Sequence, residues 1–380
     1  MRFLHTADWH LGRVLHMHAL VDDQAHVLEQ LVGLVRDVRP DALLVAGDVY
    51  DRAVPPPEAV ALLDSVLSRI VVELGVPVVL IAGNHDSADR LGFGSRLLSS
   101  GGLHVAGRVG SSVSPLVLND AHGEVRVYAL PYGDPASVRD AFGAQVHEHE
   151  PAMKLRLDAV RAAHPAGTRS VLVAHAFVTG GSESNSERPL SIGGSGAIGA
   201  ELFDGFDYVA LGHLHRPQTL RKKVRYAGSL LKYSLSEVDH RKSVTLIELG
   251  APGELRIEEL PLTPRRDFRV LEGRLAQLVT AGHLDPRNDD YVHARLLDEG
   301  ALLEPMARLR LAYPNATDFD QVERARPSSA PARGAARLQR TPAELFAEFF
   351  AEVTGEPLTV EQAGQLGTVL QRLDGEDRGE

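Results

Sequence analysis

Two histidines that are one residue apart, His213 and His215, follow the apolar segment YVALG at 208–212. In an extended chain, residues i and i+2 lie on the same side, so both imidazoles can point at one centre just beyond the end of a strand. Taken alone, such a pair is more often explained by surface or packing histidines than by a metal site. The pair therefore predicts a site only if other ligand-type residues come to the same place.

Residues of ligand type also follow four other apolar segments. They are Asp8 and His10, Asp48 and Asp51, Asn84 and His85, and His175. Each alone has a simpler explanation, because an Asp after a strand is commonly a turn former or a helix cap. Five such clusters at the carboxyl ends of strands are better explained by one shared site, since that edge of an α/β sheet is where ligands bind.

The donor types indicate which metals such a site would hold. The chain has no cysteine, so a metal must be held by nitrogen and oxygen, which favours Mn²⁺, Mg²⁺, Zn²⁺ or Fe²⁺. The imidazoles, carboxylates and one amide oxygen suffice for two divalent ions, which a two-metal site holds about 3.5–4 Å apart. One carboxylate must then bridge the ions, and Asp48 is the most central candidate.

The elements that position these residues alternate short apolar strands with polar loops and helical patterns, from residue 1 to about 262. This pattern predicts an α/β fold with layered sheets and helices. Strands are predicted at 2–5, 41–47, 77–83, 170–175 and 208–213, and helices at 22–38 and 57–74. Antiparallel strands are predicted between about 225 and 262, beginning with KVRYAGSLL, and the last two are joined by a turn from Gly250 to Gly253.

Three further parts are predicted after residue 262. Residues 263–325 are predicted to form a small α+β module, and 326–340, rich in Pro, Ser, Ala and Arg, to form a linker. Two helices are predicted in 341–380, separated by Gly355. Each begins with a capping box, formed by Thr341 with Glu344 and by Thr359 with Gln362.

The apolar faces of these two helices are too large to be buried between the helices alone, which predicts a docking surface. The residues that form the faces are Leu345, Phe346, Phe349, Phe350, Ala363, Leu366, Leu370 and Leu373. Packing against the chain's own first domain is the alternative. The preceding linker favours a separate partner.

Composition excludes some classes of function. The net charge of −11 argues against bulk electrostatic coating of nucleic acid. Local basic tracks occur at 220–225 and 324–340, and a solvated surface explains each of them equally well.

The longest apolar runs are too short to cross a bilayer, and the N-terminus lacks the apolar stretch of a secretory signal, which predicts a cytoplasmic protein. A Gly-rich phosphate-binding loop with Lys and Ser or Thr is absent, so ATP binding is not expected of this chain.

The five clusters, in this order along the chain, resemble the calcineurin-like metallophosphoesterase family. The resemblance implies a layered β-sandwich flanked by helices, with 263–325 as a capping domain that contacts DNA. It implies two sets of metal ligands that share Asp48, namely Asp8, His10, Asp48 and His215 for one ion, and Asp48, Asn84, His175 and His213 for the other. It also implies that His85 is the catalytic histidine and not a ligand.

Two residues close to Asp48 are predicted to support the site. Asp51 stands where related purple acid phosphatases carry a tyrosine ligand, so we expect it to orient a ligand, and Tyr50 is not that tyrosine. Arg52 is a candidate phosphate contact, as in phosphoprotein phosphatases, and a surface salt bridge explains it equally well. The other histidines, including the pairs His16 and His18 and His147 and His149, are assigned to the surface or to packing.

Within the family, the segments HTADWHLGR, SIGGSGAIGAELFDGFDYVALGHLHRPQ and YAGSLLKYSLSE are similar to nuclease subunits of bacterial complexes that process DNA ends in repair and recombination. The similarity implies a Mn²⁺-dependent 3′–5′ double-strand exonuclease and single-strand and hairpin endonuclease. It also implies that the C-terminal helices dock on a coiled-coil ATPase subunit, and that the chain forms a homodimer within a heterotetramer.

Two other functions compete with the nuclease. A stand-alone phosphoesterase that acts on nucleotides or phosphoproteins would have no use for the small module and the C-terminal helices. A catalytically idle scaffold is disfavoured by the intact set of ligands.

Overall fold

In the computed structural model, which describes residues 1–190, 196–321, 341–354 and 356–376, two six-stranded sheets lie face to face. The first sheet has the strand order Leu255–Pro261, Ser243–Leu249, Arg2–Thr6, Ala42–Val45, Val78–Ile81 and Leu103–Ala106. The last four of these strands run parallel to one another, and Ser243–Leu249 is antiparallel to both of its neighbours. The parallel strands therefore end at the same edge of the sheet.

The second sheet has a similar arrangement. Its strand order is Gln218–Arg221, Val224–Tyr226, Tyr208–Gly212, Arg169–His175, Gly123–Leu130 and Leu116–Asp120. The four central strands are parallel, and the two edge strands are antiparallel to their neighbours.

Parallel strands that are buried on both faces have continuous apolar sequences, as in ALLV at 42–45 and VVLI at 78–81. In the strand Ala42–Val45, Ala42 and Leu44 belong to the core between the two sheets. Leu43 and Val45 point the other way and belong to a second core, which helices cover. This strand is therefore buried on both of its faces, and the polar residues Asp48 and Asp51 come only after its end.

Helices cover the outer face of each sheet. Val21–Val38 and Pro57–Ser68 pack on the first sheet, the latter continuing as a π-helical turn at Arg69–Glu73, and His149–Ala163 packs on the second. The shorter helices are Ala88–Leu91, Ser95–Leu98 and Pro135–Phe142, with 3₁₀ turns at Ser99–Gly101, Ala200–Phe203 and Leu235–Glu237. Short strand pairs join Val14–Leu15 to His18–Ala19 and Phe177–Val178 to Ala197–Ile198.

The small module is a parallel sheet with helices and a core of its own. Its strands are Phe268–Gly273, Tyr291–Leu296 and Ala316–Gln321, and its helices are Leu275–Gly282 and Pro305–Arg310. The chain divides into two compact units, Met1–Val322 and Glu323–Glu380. The first unit contains both large sheets and this module.

The second unit contains the helices Pro342–Thr354 and Val360–Glu376. Both predicted capping boxes are present. The backbone N–H of Thr341 donates to Glu344 over 2.8 Å, and that of Thr359 donates to Gln362 over 2.9 Å. The predicted linker at 326–340 and Gly355 lie outside the described residues.

The predicted α/β fold of layered sheets flanked by helices is confirmed. The strand predicted in the segment at 223–231 was too long, because the observed strand ends at Tyr226. Two residues later Gly228 has a left-handed φ of 78°, and the chain turns out of the sheet. Several elements are not predicted by the sequence patterns, among them the strands Leu116–Asp120, Gly123–Leu130 and Ala316–Gln321 and the helices Pro135–Phe142 and His149–Ala163. The strand Leu116–Asp120 lies at a sheet edge and is only partly buried, so its apolar pattern is weak.

Candidate metal centre

The predicted ligands lie in the loops that follow the parallel strands of both sheets. Those that follow strands of the first sheet are Asp8, His10, Asp48 and Asn84, and those that end or follow strands of the second are His175, His213 and His215. Because parallel strands bring their carboxyl ends to one edge, two face-to-face sheets can direct all of these side chains to one centre.

The backbone of these loops is held in an uncommon conformation. The loop after Arg2–Thr6 runs beside the loop after Ala42–Val45. The backbone N–H of Asp8 donates to the carbonyl oxygen of Gly47 over 3.0 Å. Asp8, His10 and Asp48 have φ values of 53°, 46° and 49°, and His213 has 110°. Each such residue costs about 1–3 kcal/mol and persists only where its surroundings hold it, as they commonly do at functional sites.

Glycines allow the loops to approach the centre closely. Gly47 has a φ of 89°, and a Cβ atom there would lie 2.5 Å from Nδ1 of His175. A Cβ atom on Gly83 would lie 2.1 Å from Oδ1 of Asp48. Any larger residue at either position would displace a predicted ligand.

The carboxylate of Asp48 lies between two groups of side chains. Its Oδ2 atom is 3.7 Å from Nε2 of His10 and 3.5 Å from Nε2 of His175. Its Oδ1 atom accepts a hydrogen bond of 2.9 Å from the backbone N–H of His85. The carboxylate that was predicted to bridge two ions therefore faces both groups.

The first group consists of Asp8, His10 and Asp48, whose nearest donor atoms all lie within 4.8 Å of one another. His215 adjoins it, because its Nε2 atom is 3.0 Å from Nε2 of His10. Two imidazole nitrogens that face each other at this distance can both direct lone pairs at a cation between them.

The second group consists of Asp48, His175 and His213, again with donor atoms within 4.8 Å of one another. Asn84 adjoins it through Oδ1, which is 2.9 Å from Nε2 of His175 and 3.3 Å from Nδ1 of His213. The structure thus brings together all seven predicted ligands, in two groups that share Asp48.

Burial keeps the imidazoles of this centre in the form that a metal ion needs, whereas it disfavours the charged form of a carboxylate. It lowers the pKa of His10, His175 and His213, which keeps the imidazoles neutral with lone pairs to offer. Burial, together with the nearby charge of Asp48, raises the pKa of Asp8. A divalent cation bound next to Asp8 would offset the effects of burial and of the Asp48 charge, and would favour the ionised carboxylate.

The residues present fit divalent metal ions. Within the described residues, the buried Nδ1 atom of His10 has no hydrogen-bond partner, and it lies 3.6 Å from Oδ1 of Asp51. A proton on Nδ1 would face this carboxylate and leave Nε2 to the ion. The donors are imidazole, carboxylate and amide groups, which suit ions such as Mn²⁺, Fe²⁺ and Zn²⁺.

His85 and Asp51 lie beside this centre. The half-buried ring of His85 donates from Nδ1 to the carbonyl oxygen of Asp51 over 2.8 Å and stands edge-on to His10. The Asp51 carboxylate accepts a hydrogen bond of 3.3 Å from Arg13. Donor atoms of His10, Asp51 and His85 also lie within 4.8 Å of one another, which is close enough for these residues to hold a metal ion themselves. The catalytic role of His85 and the supporting role of Asp51 therefore stay predictions.

Arg52 is exposed, and among the described residues it forms neither an ion pair nor a hydrogen bond, so its role stays a prediction. Arg13, which the sequence analysis did not single out, is more closely integrated. Besides Asp51 it contacts the carbonyl oxygen of Ser186 at 3.3 Å, and its guanidinium lies over the ring of Tyr233.

Several supporting residues were missed by the sequence analysis. Buried Gln24 donates to the carbonyl oxygen of His10 over 2.7 Å and accepts from the N–H of Gly12 over 3.0 Å, which fixes the loop that carries the first ligands. Gln24 shares the apolar face of its helix with Val27 and Leu28, and a polar residue on such a face was the available signal. A second supporting group lies behind His215 and comprises Ser186, Glu187, Glu237 and Lys242.

A family model for calcineurin-like phosphoesterases matches residues 1–217. The chain belongs to the calcineurin-like phosphoesterase family. A second model, described as the type 5 capsule protein repressor C-terminal domain, matches residues 264–354. A curated relative from Staphylococcus epidermidis, the D subunit of the nuclease SbcCD, is 32% identical over 324 residues, covering 85% of this chain and 86% of that protein.

The family predicted from the five clusters is therefore confirmed, as is the resemblance of this chain to SbcD subunits. The chain is a metal-dependent phosphoesterase, which is a hydrolase.

Among solved structures, a dimetal phosphatase from Danio rerio matches with 14% identity, a TM-score of 0.43, and coverage of 69% of this chain and 98% of that one. The protein TT1561 of Thermus thermophilus matches with 17% identity, a TM-score of 0.39, and coverage of 68% and 98%. Of the helices in the described part of the chain, none is both long and apolar enough to span a membrane.

Proposed function

We propose that this chain is the nuclease subunit of a complex of the SbcCD type and that it hydrolyses phosphodiester bonds in DNA with two Mn²⁺ ions. The observation that carries the proposal is the convergence of seven predicted ligands into two groups that share Asp48. The similarity to the Staphylococcus epidermidis nuclease subunit supports a nucleic acid as the substrate, and DNA is proposed from the resemblance of the sequence to nucleases that process DNA ends.

The chemistry follows from what each side chain can do. Two bound divalent ions would supply an activated water molecule and neutralise the charge on the phosphoryl oxygens. The ligands assigned to the ions are Asp8, His10, Asp48 and His215 for one, and Asp48, Asn84, His175 and His213 for the other. They would hold the ions with two carboxylates, four imidazoles and one amide oxygen.

His85 is assigned the role of proton donor. Its Nδ1–H is held by the carbonyl oxygen of Asp51, so in the doubly protonated imidazolium form the proton on Nε2 is the one that would pass to the departing 3′ oxygen of DNA, leaving the ring neutral. General acid catalysis of this kind is worth about 10²–10⁴-fold in rate. Asp51 would orient His10, and Arg52, exposed to solvent, would contact a phosphate of the substrate.

The activities that we propose are 3′–5′ exonuclease on duplex DNA and endonuclease on single strands and hairpins, on the basis of the sequence resemblance. A stand-alone phosphoesterase acting on nucleotides or phosphoproteins is the alternative. The second unit argues against it, because Phe346 and Phe349 are 43% and 60% exposed in a helical hairpin that has no role in a minimal phosphatase.

The partner proposed for this hairpin, residues 341–376, is the coiled-coil base of the ATPase SbcC. Apolar side chains on one face of a helical pair suit a groove or a helical surface on another protein. The contacts are assigned to the exposed Phe346 and Phe349 and to their half-buried neighbours Leu345, Phe350, Leu366 and Leu370.

Homodimerisation is proposed through an apolar groove beside the helices at 88–98. Phe93 and Leu97, which line this groove, are 85% and 81% exposed. A two-fold axis at such a patch would bury the same apolar residues of both copies. A Leu97→Glu substitution is expected to shift the protein to monomer in light scattering, and an unchanged mass would place the dimer contact elsewhere.

The function is tested by comparing Mn²⁺-dependent nucleotide release from duplex DNA with hydrolysis of p-nitrophenyl phosphate and bis(p-nitrophenyl) phosphate. We expect cleavage of DNA and of the diester to exceed that of the monoester. Asp48→Ala, measured in parallel, should abolish every activity that belongs to this centre. Rapid monoester hydrolysis without DNA cleavage would favour the stand-alone phosphoesterase.

A further inference from the structure

An acid–base pair is buried directly behind His215. The side chains of Glu237 and Lys242 are 0% and 5% exposed and form an ion pair. Lys242 Nζ also donates to the hydroxyl of Ser229 and to the backbone carbonyl of His215, each over 2.8 Å. Burying two charges costs free energy that their attraction barely repays, so such a pair is weak evidence of a role in stability alone.

The carboxylate of Glu237 is aimed at the ring of His215. Its Oε1 atom is 3.3 Å from Nδ1 of that ring. The hydroxyl of Ser186 lies 2.6 Å from the same nitrogen and donates its own proton to Glu237 Oε1. Both oxygens therefore present lone pairs to Nδ1, which requires Nδ1 to carry a proton.

A proton on Nδ1 leaves Nε2 of the neutral ring unprotonated. This Nε2 atom is the one that faces the candidate metal centre, 3.0 Å from Nε2 of His10. Carboxylates that accept from the outer nitrogen of a metal-bound histidine fix its tautomer and increase its basicity as a ligand. Lys242 additionally holds the backbone of His215, so the ring and the main chain are both constrained.

We propose that Glu237, held in place by Lys242, is a positioning residue that presents His215 to one metal ion through Nε2. The inference rests on the proposed two-metal centre and adds residues that no motif assigned to it. Its consequence is specific to one of the two ions, because Glu237 contacts His215 and none of the ligands assigned only to the other ion.

The test is the substitution Glu237→Gln in the full chain, with Mn²⁺ titrated into metal-free protein by calorimetry. Glutamine keeps the size of the side chain, but its amide group can donate to Nδ1 and so favour the tautomer that cannot bind a metal through Nε2. We expect Mn²⁺ affinity to fall about 10–100-fold at one of two sites. The other site should bind as in the original protein.

A double variant separates positioning from a purely structural role. Glu237→Gln with Lys242→Met removes both buried charges, which should restore most of the thermal stability that the single variant loses. If the pair is only structural, Mn²⁺ affinity will recover together with stability. The proposal expects affinity to stay low while stability recovers.

Asp290→Asn is the matched control. Asp290 is also a buried carboxylate, 5% exposed and paired with Arg269 at 2.6 Å, but it belongs to the small module and contacts none of the predicted ligands. This variant should lose thermal stability and keep both Mn²⁺ affinities.

The outcomes that overturn the inference are two. Either Glu237→Gln binds two Mn²⁺ ions with the original affinities, or the double variant regains them. If the unmodified chain itself binds fewer than two Mn²⁺ ions, the proposed metal centre is wrong and the inference fails with it. Titration of the unmodified chain therefore distinguishes failure of the metal centre from failure of the positioning role of Glu237.

Discussion

Among single residues, Asp48 and His85 illustrate how metal binding and chemistry can be divided between neighbours in space. The Oδ2 atom of the Asp48 carboxylate is close to both His10 and His175. His85 touches this carboxylate only through its backbone N–H, while its ring is held by the carbonyl oxygen of Asp51. Mutation of each side chain should therefore affect a different step.

Asp48→Ala removes the shared carboxylate, and we expect it to abolish both two-ion Mn²⁺ binding and DNA cleavage. His85→Ala leaves this carboxylate intact, and we expect it to bind two ions while the exonuclease rate falls about 10²–10⁴-fold. Calorimetric titration of Mn²⁺ beside a nuclease assay measures both quantities. A metal-deficient His85→Ala protein would contradict the role assigned to this histidine.

His5 predicts how stability depends on pH outside the metal centre. It is buried, with ring nitrogens 3.0 Å from the hydroxyl of Tyr208 and 3.1 Å from the carbonyl oxygen of Leu211. Burial, with a smaller contribution from Arg225, lowers the pKa of His5 to about 3. Below pH about 6.5 the unfolded chain therefore binds a proton at this position that the folded chain does not.

The free energy of unfolding should consequently fall as the pH drops from about 6.5 towards 3, by about 1.4 kcal/mol per pH unit from this residue. His5→Gln should make the dependence shallower, because glutamine does not titrate. Urea unfolding of metal-free protein at several pH values measures how the free energy of unfolding depends on pH. His16→Gln is the control, because the side chain of His16 is exposed. Parallel slopes for His5→Gln and the original protein would refute the assignment.

Among secondary-structure elements, the parallel strands deliver the ligands, and tightly packed glycines at their ends set the distances. Gly83→Ala adds a Cβ atom 2.1 Å from Oδ1 of Asp48. A carboxylate displaced by about 1 Å typically costs about 100-fold in rate, and we expect that loss together with weaker Mn²⁺ binding.

Gly33→Ala is the matched control for this substitution, because its Cβ would meet nothing within 4 Å. It lies inside the helix Val21–Val38 and should stabilise the protein by about 0.5–1 kcal/mol without changing the rate. Nuclease rates and thermal unfolding of the two variants provide the comparison. Equal rates for both would show that Gly83 is not sterically required.

The helical hairpin belongs to a compact unit that is distinct from the unit with the metal centre. Truncation after Gln339 should therefore spare folding and basal Mn²⁺ nuclease activity, and abolish association with SbcC. Phe346→Ala with Phe349→Ala should weaken that association by about 2 kcal/mol or more per residue, as for buried aromatic anchors.

Titration of SbcC against each of these proteins measures the association. Leu311→Ala is a suitable control, because this side chain is exposed and apolar but belongs to the first unit. A truncated protein that binds SbcC at full affinity, or that unfolds without the hairpin, would exclude the docking role.

For the protein as a whole, the set of imidazole, carboxylate and amide donors predicts which metal supports activity. Imidazole-rich sites favour Mn²⁺ over the harder Mg²⁺, so nuclease activity with Mn²⁺ should be well above that with Mg²⁺. Rates measured in buffers stripped of trace Mn²⁺ test this. Full activity with Mg²⁺ alone in such buffers would contradict it.

Much of the centre could be predicted before the fold was known, because its donors follow apolar strands and such strands end at a common edge. The residue types also limited the chemistry, since a chain without cysteine must hold metals through nitrogen and oxygen. Asp48 could be selected as the shared carboxylate from its place in the middle of the clusters. These inferences need only local pattern and the general behaviour of parallel sheets.

The supporting residues could not be predicted in this way, because they depend on contacts between distant parts of the chain. His10 and His215 are separated by 205 positions in the sequence, and Ser186 and Glu237 by 51. Neither Ser186 nor Glu237 lies in a pattern that marks a ligand, and each acquires its place only when the two sheets pack together. Local periodicity predicts which face of a strand is buried and where the strand ends. The hydrogen-bond partner of a buried polar group is instead determined by tertiary packing. The sequence therefore predicted the donor residues but not the residues that support them.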